Sequence, residues 1–404
     1  MAYDELLKRA EAISRMRDLR AAIDVSDEET VALDAIDGRI LARDIVSSYD
    51  YPPRSIATMD GFAFDASEGF PLTVVGEVFP EDEPPTLLPG QAVRIATGAP
   101  LPTRSNAVLK REDATLEDEL LTGETIEEGT YVYRQGSNIT AGEVVLDTGQ
   151  RLSARHAIVL ADLGYEEVTV QRGLSVGILA TGSEIHEGVS TDLDSPMLSG
   201  LIRRWGHRPS LCGTVPDDYE TVRDRIAELA ADHDVVVTTG GTSVGRKDHV
   251  IHALDDLGSI AFHGVRIRPG KPIGVAVIAE QDAIALAIPG KPVGAFTIAV
   301  AVCRAFFTGT NETSSIEATL TRSIAIPRHG FEYWIPVSLE PTEELPEAMP
   351  LGHTDSSLQV YTETFSPSVL SSSTKAVCAD GIIITESDLV DGEQVSVVPF
   401  DEFS

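Results

Sequence analysis

Apolar and polar positions along this chain change rhythm three times. Residues 3–46 carry apolar side chains at a helix-like period, broken at Asp37-Gly38-Arg39, which predicts helix on either side of a turn. A proline-containing stretch, YDYPPRS, follows at 49–55. From 60 to 136 the pattern becomes short runs such as LTVVGEVF, AVRIATG and GTYVYRQG, separated by Pro and Gly, which predict strands of a β-rich region. AGEVVLDTGQRLS and YEEVTVQRG then read as short strands flanking a helix in ARHAIVLADLG at 154–164.

From 174 a different alternation begins. SVGILATG, SLCGTVPDD, DVVVTTGG and AIALAIPG are apolar runs that predict strands, and DSPMLSGLIRRWG, YETVRDRIAELAADH, DHVIHALDDLG and PVGAFTIAVAVCRAFF predict the helices between and after them. Continuously apolar strands alternating with helices imply a doubly wound α/β fold, a parallel sheet covered on both faces. Beyond about 313 the chain returns to β alternation.

Composition narrows the function. The 404 residues hold 64 acidic and 31 basic side chains, a formal charge of -33, so the surface repels phosphate except at a local basic patch. That argues against nucleic-acid and anionic-membrane partners. Arginine supplies 25 of the 31 basic residues, a bias that points to a salt-rich, halophile-like cytosol in which self-repulsion is screened. Cys212, Cys303 and Cys378 form no CxxC and read as apolar residues of a reducing compartment. MAYDELLKRAEA has no signal-peptide core, and the longest greasy stretch, 295–307, is interrupted by Arg304. A soluble, cytoplasmic protein is expected.

Against this background the lysines stand out. There are six, and Lys247, Lys271 and Lys291 fall within 45 residues of each other in glycine-containing loops, the last two in identical PGKP tetrapeptides. Ligands of doubly wound sheets sit beyond the carboxyl ends of the strands. TGSE (181–184), GGTSVGRKD (240–248) and PGKP (289–292) all follow predicted strands. Glycines let backbone amides approach an anion, and Lys247, Arg266, Arg268, Lys271 and Lys291 supply charge. A shared anion site is therefore expected. No GxxxxGK[ST] loop occurs, and GGTSVG lies too late in the sheet for a dinucleotide fingerprint. Asp60, Glu184, Asp234 and Asp248 border glycine-rich turns, where carboxylates beside a phosphate suit Mg²⁺. His249 and His252 lack an evident third ligand and read as surface residues.

Taken in order, DAIDGRILARDI (34–45), ATMDGFAF (57–64), RIATGAPLP (94–102), ILATGSEI (178–185), DVVVTTGGTSVGRKDHV (234–250), RIRPGKPIG (266–274) and IPGKPVGAF (288–296) resemble the molybdopterin molybdenumtransferase family, which includes bacterial MoeA and the E domain of gephyrin. The resemblance implies four parts: an elongated domain from 1–46 and 137–172, a β-rich domain at 47–136 inserted in it, a MogA-like molybdopterin-binding α/β domain at 173–312, and a β-barrel at 313–404. It implies a homodimer, and a reaction that joins molybdate to adenylylated molybdopterin with release of AMP. In that reaction Arg268, Lys271 and Lys291 would offset the repulsion of two anions. Gly240, Gly241, Ser243, Gly245 and Lys247, with the turns at Gly270 and Pro289-Gly290, would hold the pterin and its phosphate. Glu184 and Asp248, with Asp60, would position Mg²⁺, and Thr97 would donate to an oxyanion.

Four positions depart from the family pattern. PGKPVGA replaces PGNP followed by V-S, TGSE replaces TGDE, DSP at 194–196 replaces DSN, and an RxxGED stretch after GSNI is missing. These departures leave open a non-catalytic relative that binds or delivers the cofactor, or one that handles tungstate. A pure scaffold is disfavoured by the retained cationic loops.

Overall fold

The apolar period at the start of the chain forms helix α1 (Arg9–Ala22), with Ala12 and Met16 buried. The structure, a computed structural model, describes residues 6–23, 27–241 and 249–403. Helix does not continue through 46, contrary to the expectation from periodicity. Glu28–Ala32 is a strand, β1, paired antiparallel with β2 (Glu167–Gln171). Its side chains alternate exposed and half-buried, a period-2 pattern completed by a partner about 140 residues away.

The chain divides into two compact units, residues 1–40, 151–157 and 167–404, and residues 41–150 and 158–166. The second unit is built on a six-stranded sheet of Gly61–Phe64, Leu72–Val78, Gln91–Ile95, Ala107–Lys110, Ala114–Glu117 and Leu120–Gly123. Phe62, Phe64, Leu72, Leu109 and Leu121 form one of its cores.

The first unit holds the α/β sheet. Its strands are β3 (Ser175–Thr181), β4 (Arg208–Val215), β5 (Val235–Thr239), β6 (Ser259–His263), β8 (Gly274–Ile278) and β9 (Ala283–Ile288), in the order β4-β3-β5-β9-β8-β6. The short β7 (Ile267–Arg268) lies outside this sheet. Helices α2 (Asp194–Arg204), α3 (Tyr219–Asp232), α4 (His249–Leu257) and α5 (Pro292–Ile298) accompany it. β5 and β9 are buried at every residue, which is why they read as unbroken apolar runs.

The sheet is not wholly parallel, as had been expected. β8 runs antiparallel to both β6 and β9, and β6 and β8 were not anticipated as strands. Their links, residues 264–273 and 279–282, are too short for a crossover, so hairpin geometry follows. The C-terminal strands β10 (Ile316–Leu320), β11 (Glu332–Glu340), β12 (Glu347–Pro350), β13 (Gly381–Thr385) and β14 (Gln394–Pro399) close into the expected barrel, in the order β11-β12-β10-β14-β13 with β13 returning to β11. β7 adds to it, pairing parallel with β11.

An ion pair fixes the entry to the sheet. Arg172 grips Asp234 through two bonds of 2.8 and 3.0 Å, and Ser175 donates its amide and hydroxyl to the same carboxylate. Asp234 is thus accounted for as a structural group. Burial pushes its carboxyl up, but these bonds together outweigh it and hold the pKa at about 2. A lowered carboxylate pKa stabilises the fold above the unfolded value and loses that contribution as pH falls towards 2. Asp234→Asn should cost about 1–2 kcal/mol at pH 7, discounted for partial exposure, with the deficit shrinking in acid urea titrations.

Candidate active site

β3 ends at Thr181, whose hydroxyl donates to the carbonyl of Thr239 at the end of β5. Gly240 then donates its amide to Ile288 O at the end of β9. The three strand ends are therefore laced together, and the loops leaving them share one edge. Gly240 has φ +89°, and a Cβ there would lie 2.5 Å from Thr181 O. A Cβ on Gly290 would lie 2.9 Å from Gly240 Cα, so these loops touch backbone to backbone.

A cavity of about 540 Å³ opens on this edge. Its charged lining, among the described residues, is Arg268, Lys271 and Lys291 against Glu184 and Asp217. Both PGKP loops reach it, and they meet: a Cβ on Gly270 would stand 3.1 Å from Gly294 O. Lys291 caps α5 and donates Nζ to Ser368 O at 3.3 Å. Ser368 and Ser371 bring the barrel into the lining.

Arg268 is positioned from two sides. Its backbone pairs with Tyr333 through the β7–β11 ladder. Its guanidinium carbon lies 4.6 Å from the centre of the Phe331 ring, a cation–π contact that leaves the fork's donors for other partners. Arg268 Nε is buried and has no hydrogen-bond partner among the described residues. Glu184 sits on the helical turn Ser183–His186, its carboxylate folded over Gly182. Ser183, where the family pattern has an acid, accepts the amide of Asp217 at 3.1 Å.

Thus Glu184, Gly240, Gly241, Gly270, Arg268, Lys271, Pro289, Gly290 and Lys291 all line one cavity. Ser243, Gly245, Lys247 and Asp248 lie outside the described residues. Asp60 and Thr97 belong to the second unit and are joined to each other. Thr97 donates both its hydroxyl (2.7 Å) and its amide (2.8 Å) to Asp60 Oδ1, and these bonds lower the Asp60 pKa.

Sequence reasoning missed Asp217, Ser368 and Ser371. Asp217 was findable, because VPDD follows the strand run SLCGTV just as TGSE follows SVGILA. The serines carried no local signal, since only tertiary folding brings 367–371 beside the sheet. Among the described residues no group of three or more His, Cys, Asp or Glu is placed to hold a metal alone. Glu184 and Asp217 do share the cavity, and Mg²⁺ commonly takes one or two carboxylates plus substrate phosphate oxygens, so the donor set fits that ion.

In the DSP stretch, Asp194 opens α2 with Oδ1 buried and unbonded. Burial, with Asp192 beside it, pushes its pKa up to about 6. A raised carboxyl pKa means that the folded state binds the extra proton, so stability falls as pH rises from about 4 through 6. Asp194→Asn should raise the thermal midpoint at pH 7.5, raise it less at pH 5, and lose that advantage below about pH 4, as read by calorimetry.

Comparison with known proteins fits this geometry. The family description "MoeA N-terminal region (domain I and II)" matches residues 6–164, and "Probable molybdopterin binding domain" matches 177–308. The molybdopterin molybdenumtransferase of Synechococcus elongatus is 34% identical over 287 residues, covering 66% of this chain and 71% of that protein. That of Staphylococcus aureus is 32% identical over 286 residues, covering 66% and 68%. A crystal structure of the molybdopterin biosynthesis moeA protein from Pyrococcus horikoshii superposes with a TM-score of 0.77 at 25% identity, covering 98% of this chain and 100% of that one. The fold agrees over nearly the whole chain and the sequence over about two thirds of it, and the chain belongs to the molybdopterin molybdenumtransferase family.

Proposed function

We propose that this chain acts in molybdenum cofactor biosynthesis as a molybdopterin molybdenumtransferase, joining molybdate to the dithiolene of adenylylated molybdopterin with release of AMP. The observation that carries the reading is the convergence of Arg268, Lys271 and Lys291 on one cavity of a chain whose formal charge is -33. Two anionic reactants repel, and these cations offset that repulsion. Arg268, packed over the Phe331 ring, is the fixed contact, and its planar fork suits an oxyanion. Lys271 is a point charge on the β6–β8 hairpin. The Gly241 amide and the loop after it receive the pterin phosphate, with Gly240 holding the turn through its bond to Ile288 O and Ser243, Gly245 and Lys247 as further proposed contacts.

Glu184 and Asp217, with Asp248 and Asp60 as further proposed carboxylates, would hold Mg²⁺, which when bound neutralises charge on the phosphoanhydride and the departing AMP. Thr97 orients the Asp60 carboxylate. A cytoplasmic homodimer is the proposed form.

The test is conversion of adenylylated molybdopterin by the purified protein, with molybdate or tungstate and with or without Mg²⁺. AMP release that requires oxyanion and metal is the expected result. Tight pterin binding without AMP release would overturn the assignment in favour of a binding or delivery role. Lys291→Asn should weaken pterin affinity roughly tenfold, the scale of one charge-assisted hydrogen bond, and leave the thermal midpoint unchanged. A large loss of thermal stability would mean instead that Lys291 serves the barrel contact alone.

A further inference from the structure

A second hollow, of about 390 Å³, opens between the end of α1, the end of β2 and the helix Arg304–Thr308. Arg17, Arg20, Ile40, Gln171 and Phe307 are among its walls. A narrow cleft shares Arg20, Ile40 and Gln171 with it and runs on to Arg39, Arg172 and Trp205. The cleft's floor is main chain: a Cβ on Gly206 would meet Gly38 O at 2.2 Å, and one on Gly173 would meet Gly206 O at 2.7 Å.

The polar groups here are donors in search of acceptors. Trp205 is 5% exposed, and its indole N–H is buried without a partner among the described residues. Among the described residues Arg172 Nε is likewise buried without a hydrogen bond, the acid beside it being Asp27 at 3.6 Å. Among the described residues neither Arg17 nor Arg20 is paired with an acid. Arg20 feels Asp234, but that carboxylate is already held by Arg172, which repels Arg20 in turn. Arg151 spends its donors on the carbonyls of Gly38, Trp205 and Phe307, and burial with Arg304 and Arg20 nearby pushes its pKa down to about 10. Among the described residues, Arg17, Arg20, Arg39 and Arg172 line the hollow and its cleft, and the acids paired with them are Asp27, Glu29 and Asp234, held by Arg39 and Arg172.

The negative end of α1 explains one cation in its last turn. It does not explain Arg17 and Arg20 together in the hollow beside a cleft whose buried Trp205 and Arg172 donors lack acceptors among the described residues, a state that costs free energy unless something supplies them. On a chain this acidic, arginines that outnumber the acids paired with them among the described residues need a separate reason. We propose that the hollow is a binding site for a small oxyanion of phosphate or sulfate size, distinct from the pterin cavity. Oxygens entering beside Arg20 accept from the unpaired guanidinium forks, and the bound ion ties α1 to the β1–β2 ladder.

The experiment uses the full chain carrying Trp334→Phe, which leaves Trp205 as the single tryptophan. Potassium phosphate or potassium sulfate is titrated at constant ionic strength, with a bulky organic sulfonate as balancing anion. Trp205 emission and the thermal midpoint are both followed. Expected is a saturable change in both, retained in Lys271→Ala and weakened at least about tenfold in Arg17→Gln/Arg20→Gln. Arg17→Gln alone, at an exposed position, provides the same comparison if the double variant folds poorly. No saturable response, an equal response in the arginine variants, or a response abolished by Lys271→Ala would each overturn the proposal. The last result would place the anion in the pterin cavity, and failure here would leave the transferase assignment untouched.

Discussion

Lys271→Ala is expected to lower the rate of AMP release by roughly 10²–10³-fold, the scale seen when one preorganised charge or donor is removed from a reacting centre. Two unit charges of like sign 4 Å apart repel by about 4 kcal/mol near a protein surface, and the reaction must bring a molybdate and a pterin phosphate within that range. Arg268 and Lys271 directly flank Pro269-Gly270, so one loop delivers both charges. The fold does not depend on the side chain in the same way. It is the Lys271 carbonyl that accepts the amides of Val265 and Ile273, and alanine keeps it. Rate measurement and thermal unfolding together check this: the first should collapse and the second should hold. An unchanged rate would remove Lys271 from the reaction.

Gly240→Ala is expected to damage both fold and site. The residue sits at φ +89°, where an L side chain is strained, and its Cβ would come within 2.5 Å of the Thr181 carbonyl. Strain and overpacking each cost roughly 1–3 kcal/mol. Backbone cannot move aside cheaply, because the Gly240 amide is bonded to Ile288 O and Gly290 is packed against its Cα. The loops would have to part, carrying the Glu184 turn away from Lys291. Urea unfolding should show the loss of stability, and pterin affinity should fall with it. Gly294→Ala is the control: its Cβ would find the Gly270 amide at 3.6 Å, ordinary contact distance, so stability should be retained.

Much of this site could be read from the chain because buried parallel strands betray themselves. β3, β5 and β9 are unbroken apolar runs, so the loops after them could be placed on one edge before any coordinate was known. What could not be read depends on partners distant in sequence. Glu28–Ala32 looks helical until β2 is beside it, and β6 and β8 are antiparallel strands that interrupt the strand–helix alternation by which the others were read. Arg268 was identifiable as a cation, but nothing in RIRPGKP reveals the Phe331 ring against it. Ser368 and Ser371 lie some 80 residues beyond the second PGKP and reach the cavity only because the barrel closes there.

The two residues of β7 bear on how the molecule can be dissected. They are hydrogen-bonded into the barrel wall, with the Glu332 amide donating to Arg266 O at 2.8 Å. A fragment ending at 312 would retain every glycine turn of the sheet yet lose Phe331, Glu332 and the Ser368 carbonyl. Its Arg268 and Lys291 would then have no backstop. The α/β module can present the amides, but the aim of its cations is set by a part of the chain that comes after it in sequence.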